Sequence, residues 1–262
     1  MTISWFRLLG NIFRTLDLYN RILADLGYEI SLEYEASQYA CLIAQSSDLV
    51  EPASLIKDLR SKIRGLNTIV LGAGPSINKL VLGELYRYDV IMCADGVCRI
   101  LDKSLCEEYR RICIYIGDLD GGIGSLENIL SYGGYAFIHF HGSNYRDLLH
   151  YVPLVARRCR ERIVFTTQVY PLCSKVVAIP GFTDGDRAIL LAEVLGIRDL
   201  KLVGMDFDSE FSSKYSKPWY TRDTIVTSIK RRKLEWSERI IHRGFKDLVL
   251  ERLVEEYDTY NR

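Results

Sequence analysis

The residues best equipped for chemistry are carboxylates that recur just after short β-branched or aromatic runs. Asp95 stands in Ala94-Asp95-Gly96, and Asp118 and Asp120 in Gly117-Asp118-Leu119-Asp120-Gly121. Asp184 and Asp186 stand in Gly181-Phe182-Thr183-Asp184-Gly185-Asp186-Arg187, and a last acidic stretch reads Gly204-Met205-Asp206-Phe207-Asp208. Turns at strand ends need glycine and small polar residues, but not this many acids. Asp118 and Asp120 are two apart, so in an extended segment their carboxylates face one side. Like charges held that close repel unless a cation lies between them. Mg²⁺ is the cation that carboxylate oxygens share with nucleotide phosphates. The competing reading is a turn with solvated aspartates.

Other groups fall at the same edge. Gly72-Ala73-Gly74-Pro75-Ser76 follows one run and opens a helix. Its glycines let a phosphate approach the backbone, Pro75 suits the first helical position, and free N–H groups at a helix start attract an anion. A tight strand–helix turn uses the same residues. Asp95 follows Gly74 by about 20 residues, the distance at which dinucleotide folds place a ribose-binding acid. Ile77 stands where their third glycine would be, which weakens NAD binding. His139 and His141 alternate on a strand and share a face, where they hydrogen-bond phosphate or substrate or simply line the edge. Thr183 or Asp184 reads as a helix N-cap, which leaves Asp186 and Arg187 unexplained. Lys230-Arg231-Arg232-Lys233 follows a loop bearing Trp219 and Tyr220. It reads either as a clamp on phosphates or as a solvated helix face.

These groups need a scaffold. From Asn67 onward, apolar runs alternate with helical stretches: Asn67–Leu71, Asp89–Cys93, Ile112–Ile116, Tyr135–Phe140, Arg162–Thr166, Lys175–Ile179 and Leu200–Val203. That alternation predicts an α/β fold, a mostly parallel Rossmann-like sheet with helices on both faces. Ligands of such sheets bind beyond the carboxyl ends of the strands. Residues 1–65 read as helix at a period of 3.6. A first apolar stripe runs from Trp5 to Leu26 with Gly27 as C-cap, a second helix spans Leu32 to Ser46, and Pro52 opens a third. The division expected is a helical N-terminal segment over 1–65 and a nucleotide-binding catalytic domain over 66–262, closed by a long basic C-terminal helix.

Composition narrows the class. The chain has 262 residues, 34 Lys+Arg against 34 Asp+Glu, and 48% hydrophobic residues. A balanced charge argues against a coat for nucleic acid or anionic membrane. No run reaches the length of a membrane span, and early charges interrupt any signal-like start, so the expected location is the cytoplasm. The seven cysteines predict small buried side chains in a reducing compartment, not a disulfide framework. Cys93, Cys98, Cys106 and Cys113 lack the spacing of a zinc knuckle.

In order, the segments GAGPS, ADG, GDLDG, His139-Phe140-His141-Gly142-Ser143-Asn144, GFTDGDRA and Gly-Met-Asp-Phe, with the terminal KRRKLEWSERI, resemble the archaeal 6-hydroxymethyl-7,8-dihydropterin pyrophosphokinase (MptE-like) family over nearly the whole chain. The resemblance implies Mg²⁺-dependent transfer of diphosphate from ATP to the pterin hydroxymethyl group, with release of AMP, toward tetrahydromethanopterin-type carriers. It implies Asp95, Asp118, Asp120 and Asp184 as metal and nucleotide acids, with Asp118 or Asp120 accepting the hydroxyl proton. Gly72, Gly74, Pro75, Ser76, Asp95, Gly96, Thr183, Asp184 and Arg187 are the expected nucleotide contacts. His139, His141, Asn144 and Gln168 are the expected pterin contacts. Ser143 stands where the family often carries an acid, a departure that weakens a metal role for that loop. The expected partners are small molecules, with room for a homo-oligomer. Thiamin pyrophosphokinase is a more distant likeness. Flagellin-modifying glycosyltransferases share the GxGPS opening, and a non-catalytic nucleotide-binding protein is the alternative from another class.

Overall fold

The computed structural model describes residues 18–80, 82–108, 110–179 and 181–243. Seven strands form one parallel sheet: β1 Thr68–Leu71, β2 Val90–Ala94, β3 Ile112–Gly117, β4 Tyr135–Phe140, β5 Ile163–Thr167, β6 Val176–Ala178 and β7 Leu200–Val203, in the order β6-β5-β4-β3-β2-β1-β7. Every run read as a strand from the sequence is one, to within a residue or two. Side chains alternate between the two faces, as the pleat requires. On β3, Cys113 and Tyr115 join one core layer while Ile114 and Ile116 join the other.

The order of strands decides what lies on each face. From β1 to β6 the chain steps steadily one way, and right-handed crossovers then keep its helices on one side. α4 (Ile123–Ser131) and α5 (Tyr145–Arg158) pack there, together with α2 (Ile30–Ser46). After β6 the chain reverses to reach β7 beside β1, so α6 (Asp184–Val194) crosses the opposite face with α3 (Pro52–Ile63). The N-terminus of α6 is thereby delivered to the carboxyl edge of the sheet.

The described part of α1 covers 18–26. Its Tyr19, Ile22, Leu23 and Leu26 are buried, and Gly27 ends it at φ +72°. The earlier part of that apolar stripe, Trp5 to Leu16, lies outside the described residues. α2 and α3 bury their alanine- and leucine-bearing faces in the same two layers as the strands. α7 (Ser228–Arg243) packs back against α6, where Ser237 Oγ meets Thr183 Oγ1 at 3.2 Å. Its expected continuation to the C-terminus lies beyond the described residues. Between β7 and α7 a short hairpin, β8 (Phe211–Ser212) with β9 (Thr224–Ile225), interrupts what the sequence read as plain loop. No helix among the described residues is long and apolar enough to cross a membrane.

The cysteine expectation is corrected. Cys41–Cys173, Cys93–Cys98 and Cys106–Cys113 are disulfide-bonded, and Cys159 is free. The fold brings each pair to Cα separations of 6.0, 5.2 and 5.9 Å, within the range a disulfide spans. Burial and pairing are compatible here because the pairs join neighbouring core elements.

Candidate active site

The carboxyl ends of the strands open into a cavity of about 550 Å³. Three acids converge in it. Carboxylate oxygens of Asp95, Asp118 and Asp184 lie within 4.8 Å of one another. Asp95 ends β2 at φ +47°, and its buried oxygens accept hydrogen bonds from Tyr115 Oη and Gly121 N. Asp118 follows β3; its Oδ2 meets His141 Nε2 at 3.1 Å and its Oδ1 accepts from Asp120 N at 3.1 Å. Asp184 begins α6 and receives Arg187 Nη1 at 2.8 Å.

Electrostatics separates the three. Burial, then the charge of Asp184 and Asp118, pushes the Asp95 carboxyl well above the usual range. Burial and Asp118 do the same to Asp184, against the pull of Arg187. Burial works against the Asp118 charge too, but the His141 imidazole, the Asp120 N–H and Lys217 outweigh it and hold this carboxyl below its usual range. Three acids in this arrangement favour a hard divalent cation, which relieves the repulsion and takes oxygen ligands.

Asp120 stands beside them in the same cavity, where its carboxyl acts on Asp95 by hydrogen bond and charge. Leu119 adopts φ +68° and turns the chain, so a turn and not an extended segment brings Asp118 and Asp120 to the same cavity. Asp120 also pairs with Lys217. That lysine comes from the loop after β7, which Arg99 anchors through the carbonyls of Lys214 and Lys217. The loop also lies on Gly96, where a Cβ would run into the carbonyls of Tyr215 and Ser216.

The glycine-rich turn after β1 reaches the cavity through Gly72 and Gly74, while Pro75 opens a short 3₁₀ turn. Much of its backbone is already engaged. Gly72 N donates to Val203 O and Gly74 N to Gly204 O, both at 2.8 Å. Ser76 N donates to Asp206 Oδ2 at 2.7 Å, and Ser76 Oγ accepts from Gly204 N at 2.9 Å. A Cβ on Gly72 or Gly74 would collide with the loop after β7. The glycines thus serve close packing of β1 on β7, and Asp206 fills the helix start that an anion would otherwise use.

The remaining expected residues divide in two. Arg187 is buried, with Nη2 on Gln168 Oε1 at 3.0 Å, and Gln168 Nε2 in turn holds Gly181 O. Asp186 is explained: its carboxylate accepts from Phe182 N and Thr183 N at 2.7 and 2.6 Å, completing a capping box with Thr183. His139 faces the cavity with Nδ1 on Thr166 Oγ1 at 3.0 Å. Asn144 does not line the cavity. Its Oδ1 accepts from His141 N at 2.8 Å, and its Nδ2 donates to His139 O at 2.8 Å and Asp118 O at 3.1 Å, so it ties the ends of β3 and β4 together.

Lys217 and Glu33 are among the cavity groups that carried no chemical reading in the sequence. Lys217 was hidden in a polar loop. Glu33, on α2, was hidden in a helical stretch read as packing alone. From the basic run of α7, Lys230 and Lys233 turn toward the cavity, one helical turn apart. Arg231 and Arg232 turn away, to Ser209 O and Asp25 O at 2.6 Å each.

Fold and cavity define an α/β enzyme of the Rossmann-like class, with acids and lysines gathered at the carboxyl edge of its sheet. The chain matches the family described as 6-hydroxymethylpterin diphosphokinase MptE-like over residues 41–210. It is 31% identical over 234 residues to the 6-hydroxymethyl-7,8-dihydropterin pyrophosphokinase of Methanocaldococcus jannaschii, covering 86% of this chain and 91% of that protein. Proteins of the same name from Methanothermobacter thermautotrophicus and Pyrococcus furiosus are also 31% identical, over 226 and 223 residues; each alignment covers 85% of this chain, with 90% and 89% of the relatives. The chain belongs to the MptE-like 6-hydroxymethylpterin diphosphokinase family.

Proposed function

We propose that the chain transfers diphosphate from ATP to the hydroxyl of 6-hydroxymethyl-7,8-dihydropterin, with Mg²⁺, and releases AMP, as a step toward tetrahydromethanopterin-type carriers. The observation that carries the reading is the convergence of Asp95, Asp118 and Asp184 within 4.8 Å in a cavity that Lys217 and Lys230 also line. Membership of the family supports diphosphate transfer and the pterin acceptor. Asp95, Asp118 and Asp184 are the residues that would hold Mg²⁺, whose chemistry is to neutralise charge on the transferring phosphates.

The protein's own part is to position and to move one proton. Lys217 keeps its charge because Asp120 and Asp118 offset its burial, so it meets a phosphate as a cation. Lys230 faces the same cavity from α7. The pterin oxygen forms a bond to the β-phosphorus, the bond from that phosphorus to the α-phosphate oxygen breaks, and AMP leaves. The hydroxyl proton needs an acceptor. Asp118 and Asp120 are the carboxylates placed to take it. Gly72, Gly74, Gly96, Thr183 and Arg187 shape the nucleotide side in this reading, and His139, His141 and Gln168 the pterin side.

Product analysis tests it. The chain is incubated with Mg-ATP and, separately, the dihydropterin alcohol, thiamin or a sugar nucleotide, and the products are read by mass spectrometry. AMP formed with the pterin alone is expected. ADP as the nucleotide product, AMP with thiamin only, or consumption of the sugar nucleotide would each overturn the reading.

A further inference from the structure

The cavity has two chemically distinct halves. One carries the acids and lysines. The other carries aromatic rings, with Tyr19, Tyr28 and Phe182 lining it together with Glu33 and the ring centres of Tyr19 and Phe182 6.2 Å apart. Two buried polar atoms there, Glu33 Oε2 and His139 Nε2, have no close hydrogen-bond partner among the described residues; the Tyr19 side chain interacts with Glu33, and that of Gln168 with His139, more loosely. Glu33 is 6% exposed and His139 1%. The Glu33 carboxyl is fixed on its other side, where Oε1 accepts from Gly142 N at 3.1 Å. A Cβ at position 142 would come within 2.7 Å of Leu32 Cβ, so the glycine lets the loop after β4 close on α2 and set that bond.

A buried carboxylate oxygen without a close partner is costly unless a guest supplies donors. A carboxylate between aromatic rings suits a flat heteroaromatic molecule with two parallel N–H donors on one edge. We propose that Glu33 is the specificity-determining residue for the acceptor: its carboxylate takes the ring N–H and the neighbouring amino group of the aminopyrimidinone edge. The ring then lies in the aromatic half beside Tyr28 and Phe182. The hydroxymethyl carbon, on the far ring of the pterin, is thereby directed toward the half that holds the acids. Lys233, whose Nζ lies 5.2 Å from the Tyr28 ring centre and 5.7 Å from that of Phe182, closes this half from α7. The inference rests on the pterin reading above and assigns the part of the site that reads the ring.

The test uses the full chain and a fluorescent probe, 6-hydroxymethylpterin, against its 2-oxo counterpart, which puts a carbonyl where the amino group was. Wild type should bind the 2-oxo compound at least about 30-fold more weakly, since a carbonyl facing a carboxylate leaves both unpaired. Glu33→Gln should lose about 30-fold in affinity for the pterin and discriminate between the two by less than about threefold. Its affinity for Mg-ATP should stay within about threefold, which also reports that the cavity is folded. Equal binding of the two compounds by wild type, or full discrimination by Glu33→Gln, would overturn the assignment. If Glu33→Gln fails to bind Mg-ATP, Glu33→Asp and the wild-type comparison decide. Wild type that neither binds nor converts the pterin overturns the underlying reading and this one with it. Wild type that converts the pterin but ignores the 2-amino group overturns Glu33 alone.

Discussion

Asp184 and Asp118 touch the same space, yet their charges have opposite standing. Asp184 is pressed toward its neutral form by burial and by Asp118, whereas the His141 imidazole, the Asp120 N–H and Lys217 hold Asp118 ionised against its burial. Both substitutions, Asp184→Asn and Asp118→Asn, should cut turnover at least about a hundredfold. Without divalent cation their melting temperatures should part: Asp184→Asn holds or rises, because a neutral amide relieves repulsion, and Asp118→Asn falls. Melting curves in EDTA check this, and a fall in both would place Asp184 among the supports of the fold. His139 gives a second prediction. Burial, Arg187 and His141 hold its imidazole well below the ordinary range. The folded state therefore keeps it neutral while the unfolded chain protonates it near pH 6.5, so stability is lost as pH falls through that value. Wild type should lose melting temperature faster than His139→Gln below about pH 6.5; parallel curves would contradict it. The acids were legible in the sequence because strand ends needed no such residues. Glu33 was not, because one acid in a helix face looks solvated until the loop after β4 is seen to cover it.

The strands were legible as elements because each is a short apolar run bounded by turn residues, and burial on both faces leaves little choice of structure. What each turn does was less legible. GAGPS looks like an open anion site; the sign that it also packs closely was Gly204, a third glycine at the end of a strand about 130 residues further on. Only the sheet order shows that β7 returns beside β1. Gly204 sits at φ +74°, and a Cβ there would overlap the carbonyl of Gly72. Gly204→Ala should therefore cost about 1–3 kcal/mol for the backbone conformation, with the collision added. Gly83, which has open space around its Cβ direction, is the control. Urea midpoints of the two variants make the comparison; equal midpoints would mean that β1 and β7 are not packed through these glycines. The loop that brings Lys217 was illegible for a related reason. Its hold on the site is made by Arg99 through backbone carbonyls, which leave no mark in residue type.

At the scale of the whole molecule, one disulfide ties elements distant in sequence. Cys41 on α2 and Cys173 before β6 are 132 residues apart. In the chain-entropy account such a closure is worth about 4–5 kcal/mol. Reduction, or Cys41→Ser, should lower the denaturant midpoint accordingly, and alkylation before reduction should label Cys159 alone among the cysteines. An unchanged midpoint and a larger label count would show that the thiols are unpaired. Spacing held no trace of these pairs, since distance along the chain says nothing about which helix covers which strand. In the proposed reaction the acids, the lysines and the aromatic half of the cavity would together move two phosphates as one unit. The direct measurement supplies ATP labelled at both the β- and γ-phosphates with 6-hydroxymethyl-7,8-dihydropterin and follows the label by phosphorus NMR. The account predicts both labels on the pterin in equal amount, matched by unlabelled AMP, with no transfer in EDTA or by Asp118→Asn. Transfer of the γ-label alone, or transfer that persists without a divalent cation, would contradict it.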